Sequence, residues 1–295
     1  METIKKKGAG RLLPVAMAAV GLTVTCMMIG GHMDIDSYYM FPLGREILES
    51  GIPRYSSVSY YPGMEVVAQQ WLYAVIAYLA STVPHELGIM ALHFAPLMLL
   101  YLMAYRYERR CCSDPFWAYM AATLGLFTCG FVQYQSTIRP ENVTLILVLG
   151  TVMAMDRYES TEKKAWLLLP PALMVLEMNL HMTMWPFHLC VMAAYMFPFP
   201  EAAVSRIPGR PIQSRGMPDR PECLSLAASC LALFAQPYGI DGILYVVRSM
   251  PAFKHISVME QQPLQLISKP AIMAILCAVL LYALAKRKLL KSEEL

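Results

Sequence analysis

Charged side chains are what this sequence has least of. Asp, Glu, Lys and Arg make up 15% of its 295 residues, against about 25% in a soluble globular chain. Those present are clustered, so residues 12–30, 87–105, 115–134 and 271–285 contain none of the four. A soluble core does not place several such runs one after another, and a membrane crossing needs roughly 20 apolar residues. Strict alternation is also scarce, which excludes a transmembrane barrel and leaves helices to satisfy the backbone in lipid. The six histidines are few, and His32, His181 and His188 form no zinc motif. The eight cysteines form no disulfide framework. Cys26, Cys129, Cys190, Cys230 and Cys277 lie in apolar runs and read as small core hydrophobes. Cys111-Cys112, an adjacent pair beside arginines, lacks ligand spacing. No internal repeat or low-complexity tract is present.

What remains is 57% hydrophobic with a mean hydropathy of +0.45. The expected fold is all-α: a single integral membrane domain over residues 1–295. The 23 methionines scatter through the apolar runs and read as packing. Lys5, Lys6, Lys7 and Arg11 precede an apolar run that is too long for a typical signal-peptide core, so a retained first helix is expected. The net charge of +3 reflects topology rather than a nucleic-acid partner. Basic clusters follow at Arg106, Arg109 and Arg110; at Arg157, Lys163 and Lys164; at Arg206, Arg210, Arg215 and Arg220; and at Lys286, Arg287, Lys288 and Lys291. If these and the N-terminus face the cytoplasm, the spans run outward at 12–30, inward at 87–105, outward at 115–134 and inward at 143–155. A hairpin within 165–199 turns near Asn179 and His181, 224–235 goes outward and 271–285 returns, giving about eight spans. Residues 66–83 resist this scheme, because a full span there would put most arginines outside. An interfacial or re-entrant helix is expected instead, within an outer first loop over 31–70. Residues 200–222 form a cytoplasmic Pro/Arg linker between two helix groups.

This topology gathers polar residues from distant parts of the chain at the outer face. Asp34 and Asp36 follow the first span. Two carboxylates at that spacing can hold one divalent ion or flank a reacting hydroxyl, or they simply end a helix at the water. Residues 42–49 form a short interfacial helix stopped at Gly51, within a loop carrying Tyr38, Tyr39, Phe41, Tyr55, Tyr60 and Tyr61 as interface anchors. Arg139, in Arg139-Pro140-Glu141, runs against the charge bias. Its guanidinium suits a phosphate oxygen, or an ion pair with Glu141 or Asp34. Asn142-Val143-Thr144 matches a glycosylation sequon but stands at a helix start against the bilayer. Asn179 and His181 interrupt an apolar stretch and suit either sugar hydroxyls or helix cross-links. Tyr238, in Gln236-Pro237-Tyr238-Gly239, and Glu260 complete the set.

At these residues the chain resembles the GT-C superfamily of polytopic prokaryotic membrane glycosyltransferases, the group containing protein mannosyltransferases and aminoarabinose transferases. Asp34-x-Asp36, the run Gly44-Arg45-Glu46-Ile47-Leu48-Glu49-Ser50-Gly51-Ile52-Pro53, and Gln70-Trp71-Leu72 look like its acidic first outer loop and following tryptophan helix. Ile138-Arg139-Pro140-Glu141-Asn142, Asn179-Leu180-His181, Gln236-Pro237-Tyr238-Gly239 and Ile256-Ser257-Val258-Met259-Glu260 are similar to later blocks. Gln236 replaces a usual Asn, Gln261 stands where Trp is usual, and relatives carry further helices, so a short or truncated member is expected. The resemblance implies transfer of a sugar from a polyprenyl-phosphate carrier to an acceptor hydroxyl at the outer face of a prokaryotic cell membrane, with inversion. It implies Asp34 as base or metal-side acid, Asp36 as its partner, and a Mg or Mn ion beside them. Arg139 is then the phosphate clamp, with Glu141, Asn179, His181, Tyr238 and Glu260 on the substrate side. The implied partners are a lipid-linked sugar donor, membrane lipids, and a glycan, lipid or protein acceptor. The rival readings are a non-catalytic membrane subunit binding lipid or partner helices, and a transporter, for which paired inverted repeats are not seen.

Overall fold

Leu, Met and Ala dominate the apolar runs, and all three lose little side-chain freedom in a helix. In the computed structural model, which describes residues 35–57, 61, 63–111, 115, 118–119, 121–122, 139–196 and 220–249, these runs are helical. Eight α-helices are defined among the described residues: α1 (Ile35–Ser50), α2 (Trp71–Ser81), α3 (Leu87–Cys111), α4 (Glu141–Thr161), α5 (Leu169–Leu180), α6 (Trp185–Met196), α7 (Arg220–Ala232) and α8 (Ile240–Ser249). Short 3-10 turns at Pro84–Glu86, Lys164–Leu168 and Met182–Met184 lead into α3, α5 and α6. Among the described residues there is one isolated antiparallel bridge, Tyr55 to Glu65, and no sheet.

The helix expected at 42–49 begins earlier, at Ile35, and carries Pro42 inside it. Asp36 therefore belongs to its first turn instead of a loop. The stop at Gly51 holds: its φ of 86° is the left-handed C-cap conformation, and its N–H donates to Ile47 O at 2.9 Å. Gly44 has a different reason to be glycine. A Cβ there would lie 2.1 Å from the carbonyl oxygen of Ala74, so α1 and α2 cross backbone to backbone.

Helix directions follow from side-chain pairings. Thr144 bonds His181, Thr151 bonds His188 and Asp156 bonds Tyr195, so α4 and α6 run parallel with α5 returning between them. Ile89, Leu92 and Val143 pack on one core cluster, and Met103 approaches Gly150, so α3 runs alongside α4 in the same direction. Ser225 donates to Leu167 O while Asn179 donates to Ala235 O, which sets α7 parallel to α5. The bundle thus has an arginine end, with Arg106, Arg109, Arg110 and Arg157, and a histidine end, with Arg139, Asn179 and His181. These relative directions agree with the expected alternation over 87–105, 143–155, 165–199 and 224–235. The spans expected at 12–30 and 271–285 lie outside the described residues, as does most of 115–134. Helix α7 starts at Arg220, within the expected linker; the rest of that linker lies outside the described set.

Among the described residues one helical stretch, Pro84–Arg110, is long and apolar enough to cross a membrane. Only 17% of its apolar window is buried within the protein, whereas the core helix of a soluble protein is mostly buried. The same inversion holds elsewhere. Leu168, Leu224 and Leu231 are exposed, while Thr151, Glu177, His188 and Ser229 are completely buried. Polar groups inside and leucines outside is the arrangement a lipid solvent favours. Among the described residues the protein is all-helical, and its one candidate span is consistent with membrane association. Helix α2, with 11 residues, rises about 16 Å, roughly half the hydrocarbon thickness, so it does not cross as a straight span.

The main core lies at the histidine end and is rich in methionine: Met40, Met174, Met178 and Met182 are buried there with Leu43, Ile47, Tyr73 and Ala77. The thioethers fill irregular gaps between helices, as expected. The expectation for cysteine fails in part. Cys190 and Cys230 are exposed on the bundle exterior, along with Cys223. In a lipid-facing bundle an apolar run does not distinguish inward from outward positions, because both surroundings are apolar.

Candidate functional site

The site is built from the chain after α1, the residues before α2, the ends of α5 and α7, and the start of α4. Gly51 turns the chain so that Pro53 and Arg54 pass beneath Tyr238. The Tyr238 hydroxyl donates to Pro53 O at 2.9 Å and accepts from the Ala68 N–H at 3.0 Å. Arg54 donates to Pro237 O at 3.1 Å, with its guanidinium carbon 5.0 Å from the Tyr238 ring centroid. Burial pushes the Tyr238 phenol above its ordinary pKa of 10, against the opposing pull of Ala68 N–H and Arg54. Tyr39, on α1, is raised by burial and then by Glu46.

Asn179 is a second cross-link. Its Oδ1 accepts from Trp71 Nε1 at 3.1 Å, and its amide donates to Val175 O and Ala235 O, both at 2.7 Å. One side chain therefore joins α2, α5 and the end of α7. The Met182 N–H donates to Gln69 O at 3.0 Å, which ties the turn after His181 to the residues before α2.

Beneath these latches sits a buried triad. Thr144 donates to Glu177 Oε1 at 2.9 Å and lies 2.8 Å from His181 Nδ1. The Thr144 hydroxyl thus bridges the carboxyl and the imidazole, with the proton roles in the Thr144–His181 pair set by the imidazole tautomer. Glu177 is fully buried, and its Oε2 has no hydrogen-bond partner among the described residues. Gln69 Oε1 and Trp185 Nε1, on either side of the Met182–Met184 turn, are buried without partners as well. Arg139 is 8% exposed at the mouth of α4, and its Nη1 is 3.9 Å from Glu141 Oε1. Pro140 follows as the residue before the helix, and its carbonyl receives the N–H of Val143 and of Thr144. Asn142 and Thr144 are both buried, so the sequon there is inaccessible.

Of the residues singled out from sequence, Arg139, Glu141, Asn179, His181 and Tyr238 come together at the histidine end. Asn179 and Tyr238 serve there as cross-links. Asp34 and Glu260 lie outside the described residues. Asp36 is placed in the first turn of α1, but its side chain is outside the described set. The expected Mg or Mn site depends on those two aspartates. Among the described residues no group of three His, Cys, Asp or Glu side chains is positioned to hold a metal. Two participants, Thr144 and Arg54, were not singled out, and Glu177 was noted as interrupting an apolar stretch but given no role. Glu177 is in the last turn of α5 and His181 is its C-cap, and that four-residue spacing was the available signal. No protein-family model matches the chain, and no curated protein or solved structure is significantly similar to it.

Proposed function

We propose that this protein is a membrane glycosyltransferase that moves a sugar from a polyprenyl-phosphate carrier to an acceptor hydroxyl. One observation supports the reading: five of the blocks on which the family resemblance rests, far apart in sequence, meet at one end of the bundle. The stretches Gly44 to Pro53, Gln70 to Leu72, Arg139 to Glu141, Asn179 to His181 and Gln236 to Gly239 are joined there in a chain: Pro53 to Tyr238, Asn179 to Trp71 and to Ala235 beside Gln236, and Pro140 through Thr144 to His181. Buried polar atoms at Gln69, Glu177 and Trp185 have no protein partner among the described residues and suit a hydroxyl-rich ligand.

In this reading the acceptor hydroxyl gives its proton to Asp34 and its oxygen attacks the anomeric carbon. The bond from that carbon to the phosphate oxygen breaks, and the electron pair leaves on the carrier phosphate. Arg139 offsets the charge that develops there through charge-assisted hydrogen bonds. Attack opposite the leaving group inverts the anomeric centre. A second reading, a non-catalytic membrane subunit, is favoured by one observation: Asn179 and Tyr238 are fully engaged by protein groups.

The test is binding of polyprenyl-phosphate sugars to detergent-purified protein by native mass spectrometry, followed by turnover with candidate acceptors. Selective binding that drops at least about tenfold in Arg139→Ala, corresponding to about 1.4 kcal/mol, and persists in Asp34→Asn supports the transferase. Turnover should then be lost in Asp34→Asn. A folded wild-type protein that binds no carrier sends the assignment to the subunit reading.

A further inference from the structure

The chain that follows α1 folds back on it and leaves a shallow groove next to the site above. Tyr39, Leu43 and Glu46 of α1 line the groove, together with Pro53, Tyr55 and Ser57. Pro53 is also the acceptor for the Tyr238 hydroxyl, so groove and site share a residue. The backbone holds Tyr55 in place. Val66 N–H donates to Arg54 O at 3.0 Å and Ser56 N–H to Met64 O at 2.8 Å, around the Tyr55–Glu65 bridge. In extended backbone, side chains two apart share a face, which puts Tyr55 and Ser57 together. Glu46 is half-buried, and its Oε2 accepts from Ser57 Oγ at 2.6 Å. Among the described residues no cation pairs with it: Arg45 is held by Glu49 at 2.8 Å, and Arg54 by Pro237 O and the Tyr238 ring.

The groove has room for one water-sized group, about 10 Å³. Its rim is open, with Tyr39 41% and Tyr55 59% exposed. A pyranose ring presents an apolar C–H face and an edge of hydroxyls. Tyrosine rings at the surface match the first, each an apolar body with a polar tip. A carboxylate that spends one oxygen on Ser57 keeps lone pairs for the second. The small enclosed volume suits one hydroxyl reaching in while the ring stays on the rim. A phospholipid matches less well, because a carboxylate without a cation repels its phosphate.

We propose that this groove holds the acceptor of the transfer reaction and that the acceptor is a saccharide, one ring hydroxyl donating to Glu46 and the C–H face lying on Tyr55. The role as acceptor site rests on the transferase reading, whereas saccharide binding itself does not.

The test measures binding of neutral trisaccharides of glucose, galactose, mannose and N-acetylglucosamine to the full chain in detergent, by saturation-transfer NMR. At least one should bind the wild type at millimolar concentration. Glu46→Gln and Tyr55→Ala should each weaken that binding about tenfold or more, while Tyr55→Phe, which keeps the ring, should retain it. Glu162→Gln, at the far end of α4, should change nothing. Tyr55 is exposed, so its variants leave the packed core untouched. Absence of saccharide binding, or binding that survives both Glu46→Gln and Tyr55→Ala, overturns the proposal. Loss of co-purified phospholipid in place of saccharide in Tyr55→Ala overturns it too, in favour of a lipid contact. Carrier binding separates this assignment from the reading it rests on. Polyprenyl-phosphate sugars that bind while no trisaccharide does would sink the groove and leave the transferase standing. Trisaccharide binding without carrier binding would overturn the acceptor role and leave a saccharide site.

Discussion

Single side chains hold the candidate site together, and each has a measurable consequence. Tyr238→Phe leaves the Ala68 N–H and the Pro53 carbonyl without their shared partner. It should destabilise the folded protein by about 1–3 kcal/mol, the range for orphaned buried groups, read as a lower unfolding midpoint in detergent. Because burial raises the Tyr238 pKa above 10, the folded state holds this proton more tightly than the unfolded chain. The contribution is complete below pH 10 and is lost as pH rises through the folded value. Wild type should therefore lose more stability than Tyr238→Phe on alkaline titration. Thr144→Val removes one hydroxyl that serves both Glu177 and His181 and should cost at least as much, whereas Thr144→Ser should recover most of the loss. The sequence identified Asn179 and His181 by their polarity within apolar surroundings, and Tyr238 through the block Gln236-Pro237-Tyr238-Gly239. It did not show which were cross-links, because that depends on carbonyls such as Ala235 and Pro53, which every residue type has.

At the level of elements, the clearest contrast is between two glycines of α1. Gly51 has no atom within 4 Å of an added Cβ but adopts φ 86°, while Gly44 has an ordinary helical backbone and Ala74 O at 2.1 Å. Gly51→Ala should cost about 1–2 kcal/mol through the left-handed conformation alone, and Gly51→Asn should cost less. Gly44→Asn should be at least as harmful as Gly44→Ala, since any side chain forces α1 off α2. Thermal unfolding of the four variants separates the mechanisms. The spacing Gly44, Ile47, Gly51, Pro53 was visible in the sequence, and its physical meaning needed the packing. The start of α1 was misplaced because Pro42 read as a boundary, yet here it lies inside the helix. The shortness of α2 was anticipated only indirectly, from the sign of the arginine-rich loops.

For the whole molecule, charge pattern was the most informative feature of the sequence. It set α3, α4 and α6 in one direction and α5 and α7 in the other, and the pairings among described helices have that arrangement. Sidedness follows as a prediction. With Cys190, Cys223 and Cys230, all exposed, replaced by Ser together with the remaining cysteines, Glu65→Cys should react with an impermeant maleimide on intact cells. Lys163→Cys should react only after permeabilisation, and the reverse pattern would invert the orientation. A last consequence concerns the parallel pair α4 and α6. Two Thr–His rungs link this region, Thr144 with His181 Nδ1 ahead of α6 and Thr151 with His188 Nε2 on α6, each partner seven residues from its like in the chain. Taken alone they are degenerate: sliding one helix by two turns still matches one threonine with one histidine. Asp156 with Tyr195, bonded at 2.7 Å, is a pair of another kind and has no counterpart after such a slip. It acts as the key that makes one register unique, so helix assembly, rather than the finished structure, is where its loss should be felt most.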